Sequence, residues 1–132
     1  MSHYTRLNLR DDTENFAERF GLAPDLELRF GRSALGIEGG GFSYQKRAPN
    51  LAGSTGHRHR TQEEVYIVIA GSGQVKLDDE VQDIRQWDVI RVAPAVARGF
   101  ASGPDGLEFI AIGYGEGGDG ETIEGFWETS QA

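Results

Sequence analysis

The stretch from His57 to Gly71, HRHRTQEEVYIVIAG, constrains this chain most. Val65-Tyr66-Ile67-Val68-Ile69 is a strand-type run of apolar and β-branched residues, ended by Gly71-Ser72-Gly73. Just ahead of it lie two histidines one residue apart, with a carboxylate, Glu64, five residues after the second. Residues i and i+2 of a strand point to the same side. His57 and His59 therefore project from one face, close enough to act on the same ion or molecule. Tyr66 and Val68 share parity with Glu64 and are expected to point inward.

The rest of the chain reads as short strands around this segment. Residues 26–30 alternate with period two, 33–37 offer a further extended stretch before a glycine run, and 42–47 alternate again. Residues 48–56 carry proline, asparagine and glycines and read as a loop. Further strands are expected at 64–70, 74–78, 81–84, 88–92, 97–101 and 107–112, with turns at 71–73, 78–80 and 103–106. About nine short strands at close spacing, without βαβ alternation, predict an antiparallel sandwich or barrel. Ahead of them, Asp11, Asp12 and Thr13 offer caps, Phe16 and Phe20 share a helix face, and Gly21 can close the turn, so one short helix is expected near 13–20. The segment Gly113 to Gly125 holds six glycines and several acids and reads as a tail whose end Phe126 and Trp127 could anchor.

Composition narrows the chemistry. The 132 residues suit one domain, divided here into an N-terminal segment (1–25), a barrel (26–113) and a Gly/acid-rich C-terminal tail (114–132). A formal net charge of -8 argues against a nucleic-acid or anionic-membrane partner, since both select positive surfaces. There is no cysteine, so thiolate chemistry and zinc–thiolate sites are excluded. No apolar run in residues 1–16 is long enough for a signal peptide or a membrane span, and a soluble, cytoplasmic protein is expected. The third histidine is His3, near the N-terminus.

The spacing of the central stretch resembles the first motif of the cupins, G-x5-H-x-H-x3,4-E-x6-G. His57, His59, Glu64 and Gly71 fit its later part, with Leu51 at the leading glycine position. Glu64 is preferred over Glu63 because only Glu64 leaves six residues before Gly71. Residues 87–102 align with the second cupin motif, G-x5-P-x-G-x2-H-x3-N. The surrounding pattern holds, but Trp87, Ala93, Ala95, Arg98 and Ser102 stand at its signature positions. The resemblance spans residues 26–113. It implies an all-β cupin jelly-roll β-barrel with one short N-terminal helix, a pocket inside the barrel, and pairing into a homodimer through the N-terminal segment or the Phe126–Trp127 end.

It also implies a metal site of His57, His59 and Glu64 for one divalent ion (Fe, Mn, Ni or Zn), in which the family's remaining histidine is replaced by Arg98. A guanidinium has no lone pair to donate. A divalent ion about 5 Å from it would be repelled by roughly 6 to 7 kcal/mol at an effective dielectric near 20. Three arrangements follow. Arg98 folds back onto Glu64 and the pocket holds no metal; or the three residues hold an ion while Arg98 turns to a substrate carboxylate; or the site is vestigial and the domain serves dimerisation or ligand sensing. Arg98, Tyr66 and Phe100 are the candidate ligand-binding residues. The function expected is binding of a small, anionic molecule. The alternatives are a metal-dependent dioxygenase or isomerase and a metal-free isomerase with a histidine as base and Tyr66 as acid.

Overall fold

A computed structural model describes residues 3–53, 55–115 and 117–129. Eight strands form one curled antiparallel sheet: β1 (Leu26–Phe30), β2 (Gly40–Arg47), β3 (Thr55–Arg58), β4 (Glu64–Leu77), β5 (Glu80–Arg85), β6 (Val89–Val92), β7 (Arg98–Tyr114) and β8 (Glu121–Glu124). The order runs β1-β2-β7-β3-β8, and β4 pairs with β5, β6 and β7. This is an all-β jelly-roll barrel.

Two long strands carry the architecture. β4 and β7 pair from Glu64 opposite Gly113 to Leu77 opposite Arg98. The turns expected at 71–73 and 103–106 are instead bends inside these strands. The register slips between Val68 and Ala70 and again between Gly71 and Gly73, which is how a long ladder turns a barrel corner. Gly71 has φ +76, and a Cβ there would lie 2.0 Å from the Gly106 carbonyl oxygen. That double constraint explains why glycine stands here.

The segment 33–37 is not a strand. Arg32–Leu35 form a short helix, α2, after α1 at Leu9–Asp12. Gly36, at φ +73, stops α2 by bonding back to the Arg32 and Ser33 carbonyls. The helix expected near 13–20 is reduced to a short 3-10 turn, and a separate helix precedes it. Asn8 caps α1, and a 3-10 turn follows at Phe16–Phe20, closed by Gly21 as anticipated. The C-terminal segment also departs from the tail expected. β8 pairs with β3, and a final turn, α3 (Phe126–Thr129), closes on the barrel. The Phe126 ring is buried against Gly56 and Gly99, where any Cβ would meet it at 2.5 and 3.0 Å. Phe126 is thus spent on the chain's own barrel.

The core lies between the sheet faces and is centred on three rings. Phe109 stacks on Phe100 at 4.4 Å and meets Tyr66 edge-on at 5.7 Å. Leu107, Val68 and Val75 fill in around them. Among the described residues no helix is long and apolar enough to cross a membrane.

Replacing Gly71 with alanine adds a backbone clash to left-handed strain and is expected to cost about 3 kcal/mol. Gly36→Ala meets nothing within 4 Å and should cost about 1 kcal/mol, from the left-handed backbone alone. Urea midpoints of the two variants test this, and equal losses would show that the close β4–β7 approach is relaxed in solution.

Candidate functional site

The barrel interior opens into a cavity of about 390 Å³. Its wall is set by strand parity. His57 on β3, Glu64 and Tyr66 on β4, and Ser43 and Gln45 on β2 all point inward. His59 follows the end of β3, held there by its N–H on the Pro94 carbonyl at 2.8 Å.

Four side chains converge on one oxygen. Glu64 Oε1 accepts the Tyr66 hydroxyl at 2.6 Å and Arg98 Nη1 at 2.9 Å. His57 Nε2 and His59 Nε2 each lie 3.1 Å from that same oxygen. Burial alone would raise the Glu64 carboxyl, but hydrogen bonds from His57 and Tyr66 and the nearby imidazoles outweigh it and hold it well below the usual range. Glu64 is therefore an anion at neutral pH. Tyr66, 1% exposed and beside that anion, is pushed the other way by burial and by the Glu64 charge, and stays a hydroxyl donor.

Arg98 is fully buried (0% exposed). Besides Glu64 it donates through Nη2 to the Ala93 carbonyl at 2.8 Å. Both terminal nitrogens bond within the protein, and Arg98 is not among the residues that line this cavity. Its guanidinium neutralises Glu64 instead. Phe100 likewise sits in the core and lines an adjoining cavity with Arg98, not this one. Tyr66, His57, His59 and Glu64 line the main cavity as expected. Glu63 points away and pairs with Arg91 at 2.8 Å on the surface. His3 is exposed and outside the cluster.

Two residues that the sequence reading missed shape the site. Asp119 lies in the glycine-rich segment after β7. Its Oδ1 accepts from His59 Nδ1 at 2.9 Å, and its Oδ2 accepts the backbone N–H groups of Arg60, Thr61 and Gln62 at 3.1, 2.7 and 3.0 Å. The Thr61 amide contributes most, then the His59 bond, and together they hold the Asp119 carboxyl far below its usual range. Arg32, at the start of α2, lines the mouth and bonds the Gly115 carbonyl at 3.2 Å, tying one rim to the other. Only the charge pattern Gly-Gly-Asp-Gly hinted at Asp119, and it carried no spacing signal.

The donors fit a divalent ion as a three-atom set. His57, His59 and Glu64 offer one ligand atom each, all within 4.8 Å of one another. The two imidazole–carboxylate distances of 3.1 Å suit neighbouring ligands at bond lengths of about 2.1 Å. With Nδ1–H donated to Asp119, His59 presents its Nε2 lone pair to an ionised oxygen 3.1 Å away. That contact is repulsive unless a proton or a metal ion lies between. The fourth family position is filled by the Arg98 cation, so a four-ligand set does not form.

No family model matches the chain, and no curated protein matches its sequence. Solved structures do resemble it. A cupin protein from Bacteroides fragilis is 21% identical, over 89% of this chain and 88% of that one, with a TM-score of 0.65. The polyketide cyclase RemF from Streptomyces resistomycificus is 17% identical over 97% and 93%, with a TM-score of 0.73. The nucleoside dehydratase Pac13 is 12% identical over 95% of each chain, also at 0.73. At these identities the likeness is one of fold, and the chain folds as a small cupin domain.

Because the Glu64 carboxyl is lowered on folding, its contribution is present above the unfolded value near 4.3 and is lost as pH falls below it. The melting temperature of Glu64→Gln should therefore lie furthest below wild type at pH 6–7, and the gap should narrow steadily from pH 5 to pH 2. A gap independent of pH would mean that Glu64 contributes shape and not charge.

Proposed function

We propose that the protein binds a small organic molecule in the barrel mouth, against His57, His59, Glu64 and Tyr66, and that Arg98 rather than a resident metal meets the Glu64 charge. One observation carries this reading: a fully buried guanidinium 2.9 Å from the carboxylate oxygen on which both imidazoles converge. A divalent ion at that point would have to overcome a repulsion of the order of several kcal/mol at short range. Proton donors and acceptors stand together on one cavity wall. They are a buried hydroxyl, a carboxylate and the half-exposed His57 ring. That is the equipment for proton transfer to or from a bound molecule. Structures of similar fold include a polyketide cyclase and a nucleoside dehydratase, with variants of the latter holding uridine. This barrel shape therefore accommodates organic molecules in other proteins.

A second reading, a metal-dependent cupin enzyme of dioxygenase or isomerase type, is favoured by the Asp119–His59 bond. A carboxylate behind the imidazole is how metal-ligating histidines are usually oriented. His57, His59 and Glu64 would hold the ion, which would supply Lewis acidity beside the bound molecule.

Metal content by mass spectrometry, on protein purified without a nickel column, separates the two. The proposal expects far less than one metal per chain, even after incubation with Fe, Mn, Ni or Zn. Near one per chain would hand the site to the second reading. Arg98→His completes a three-His, one-Glu set and is expected to raise Zn or Mn affinity at least tenfold by calorimetry. No gain would show that position 98 does not reach the ion's place.

Arg98→Met leaves a buried carboxylate without its main cation. It is expected to lose about 3 to 5 kcal/mol in denaturant unfolding. A loss below about 1 kcal/mol would show that the imidazoles alone satisfy Glu64.

A further inference from the structure

The barrel interior continues beyond the Glu64 cluster. A second cavity, of about 230 Å³, is bounded by Arg47 at the end of β2, by Arg98 and Phe100 on β7, and by Phe20 and Leu22 of the N-terminal segment. Leu28, Gln45 and His57 line both cavities, so the two spaces adjoin along β1, β2 and β3.

Two arginines meet this space, and both have a buried Nε–H without a hydrogen-bond partner. For Arg98 the charge is matched by Glu64 and only the Nε–H is left over. For Arg47 nothing matches it: among the described residues it forms no ion pair. Burial pushes its guanidinium down from the ordinary value, and no neighbouring charge offsets this. Glu27, the carboxylate that lines the cavity, is already gripped by Arg10 at 3.0 Å and Arg29 at 2.7 Å. A half-buried cation with no ion partner among the described residues is costly to leave unmet. An anion entering this cavity would meet the unmatched Arg47 charge, and the flat guanidinium fork favours an oxyanion.

We propose that this second cavity is the subsite for a carboxylate or phosphate group of a small organic anion, held by Arg47, with the rest of the molecule passing His57 into the first cavity. The proposal rests on the reading of the barrel interior as a small-molecule site, and not on whether the first cavity takes a metal. It relocates the anion-recognising role from the Arg98 terminal nitrogens to Arg47, a residue that no motif marks.

Calorimetric titration of the full chain with succinate and, separately, with inorganic phosphate tests it. Wild type is expected to bind at least one of them at millimolar concentration or below. Binding of phosphate alone would assign a phosphate-bearing ligand, and of succinate alone a carboxylate-bearing one. Arg47→Met should weaken that binding at least tenfold, while its ligand-free unfolding midpoint stays level or rises because an unmatched charge has gone. Arg47→Gln, which keeps polarity without charge, gives the same readout if the methionine variant folds poorly. Undiminished anion binding by these variants, or no binding of either anion by wild type, would overturn the subsite. A stoichiometric metal in wild type would overturn the metal-free reading of the first cavity and leave this result standing.

Discussion

The pairing of β4 with β7 is the constraint on which the rest depends. By register, Glu64 lies opposite Gly113 and Arg98 lies opposite Leu77, at the two ends of the ladder. A flat ladder would keep those side chains far apart. They touch at 2.9 Å because both strands bend where the register slips beside Gly71 and Gly73. The backbone feature that closes the barrel therefore also assembles the charged cluster, and a fault in the bend is a fault in the site.

Within that frame, Glu64 behaves as a hub. One carboxylate oxygen accepts from Tyr66 and Arg98 and has the His57 and His59 rings 3.1 Å away. The oxygen cannot satisfy all of them fully at once. The competition leaves the His57 ring, the most exposed of the four, as the group freest to turn toward a bound molecule. Arg98 is the reverse case. Fully buried and bonded at both ends of its fork, it holds the anion in place and takes no part at the opening.

Much of this was legible in the sequence, for physical reasons. Inward parity placed Glu64 and Tyr66 correctly because β4 is regular through 64–68. The H-x-H spacing brought both imidazoles to one oxygen. Glu64 rather than Glu63 followed from the spacing to Gly71, a glycine whose left-handed φ the structure explains. Trp87, at a motif glycine position, still has φ +75 and 70% exposure, so the turn outlasts the residue type that favours it. What failed was mostly long-range. Gly71-Ser72-Gly73 and residues 103–106 have turn composition, yet each strand continues through them because a partner is paired alongside. Residues 55–58 and 121–124 have weak strand patterns and become strands only by meeting each other. Phe100 carried the inward parity expected of it, but parity cannot tell a core ring from a cavity wall.

Asp119 ties the edge of the opening to its chemistry. Gly117 and Gly118 line the mouth of the main cavity, and the next residue is the carboxylate that fixes His59 and caps the 60–62 backbone. Motion of that rim is mechanically linked to the orientation of one imidazole. The two oxygens of one glycine-flanked carboxylate thus serve two ends at once, one setting the direction of an imidazole and the other pinning the 60–62 backbone, so the shape of the rim and the aim of the ring are a single structural decision.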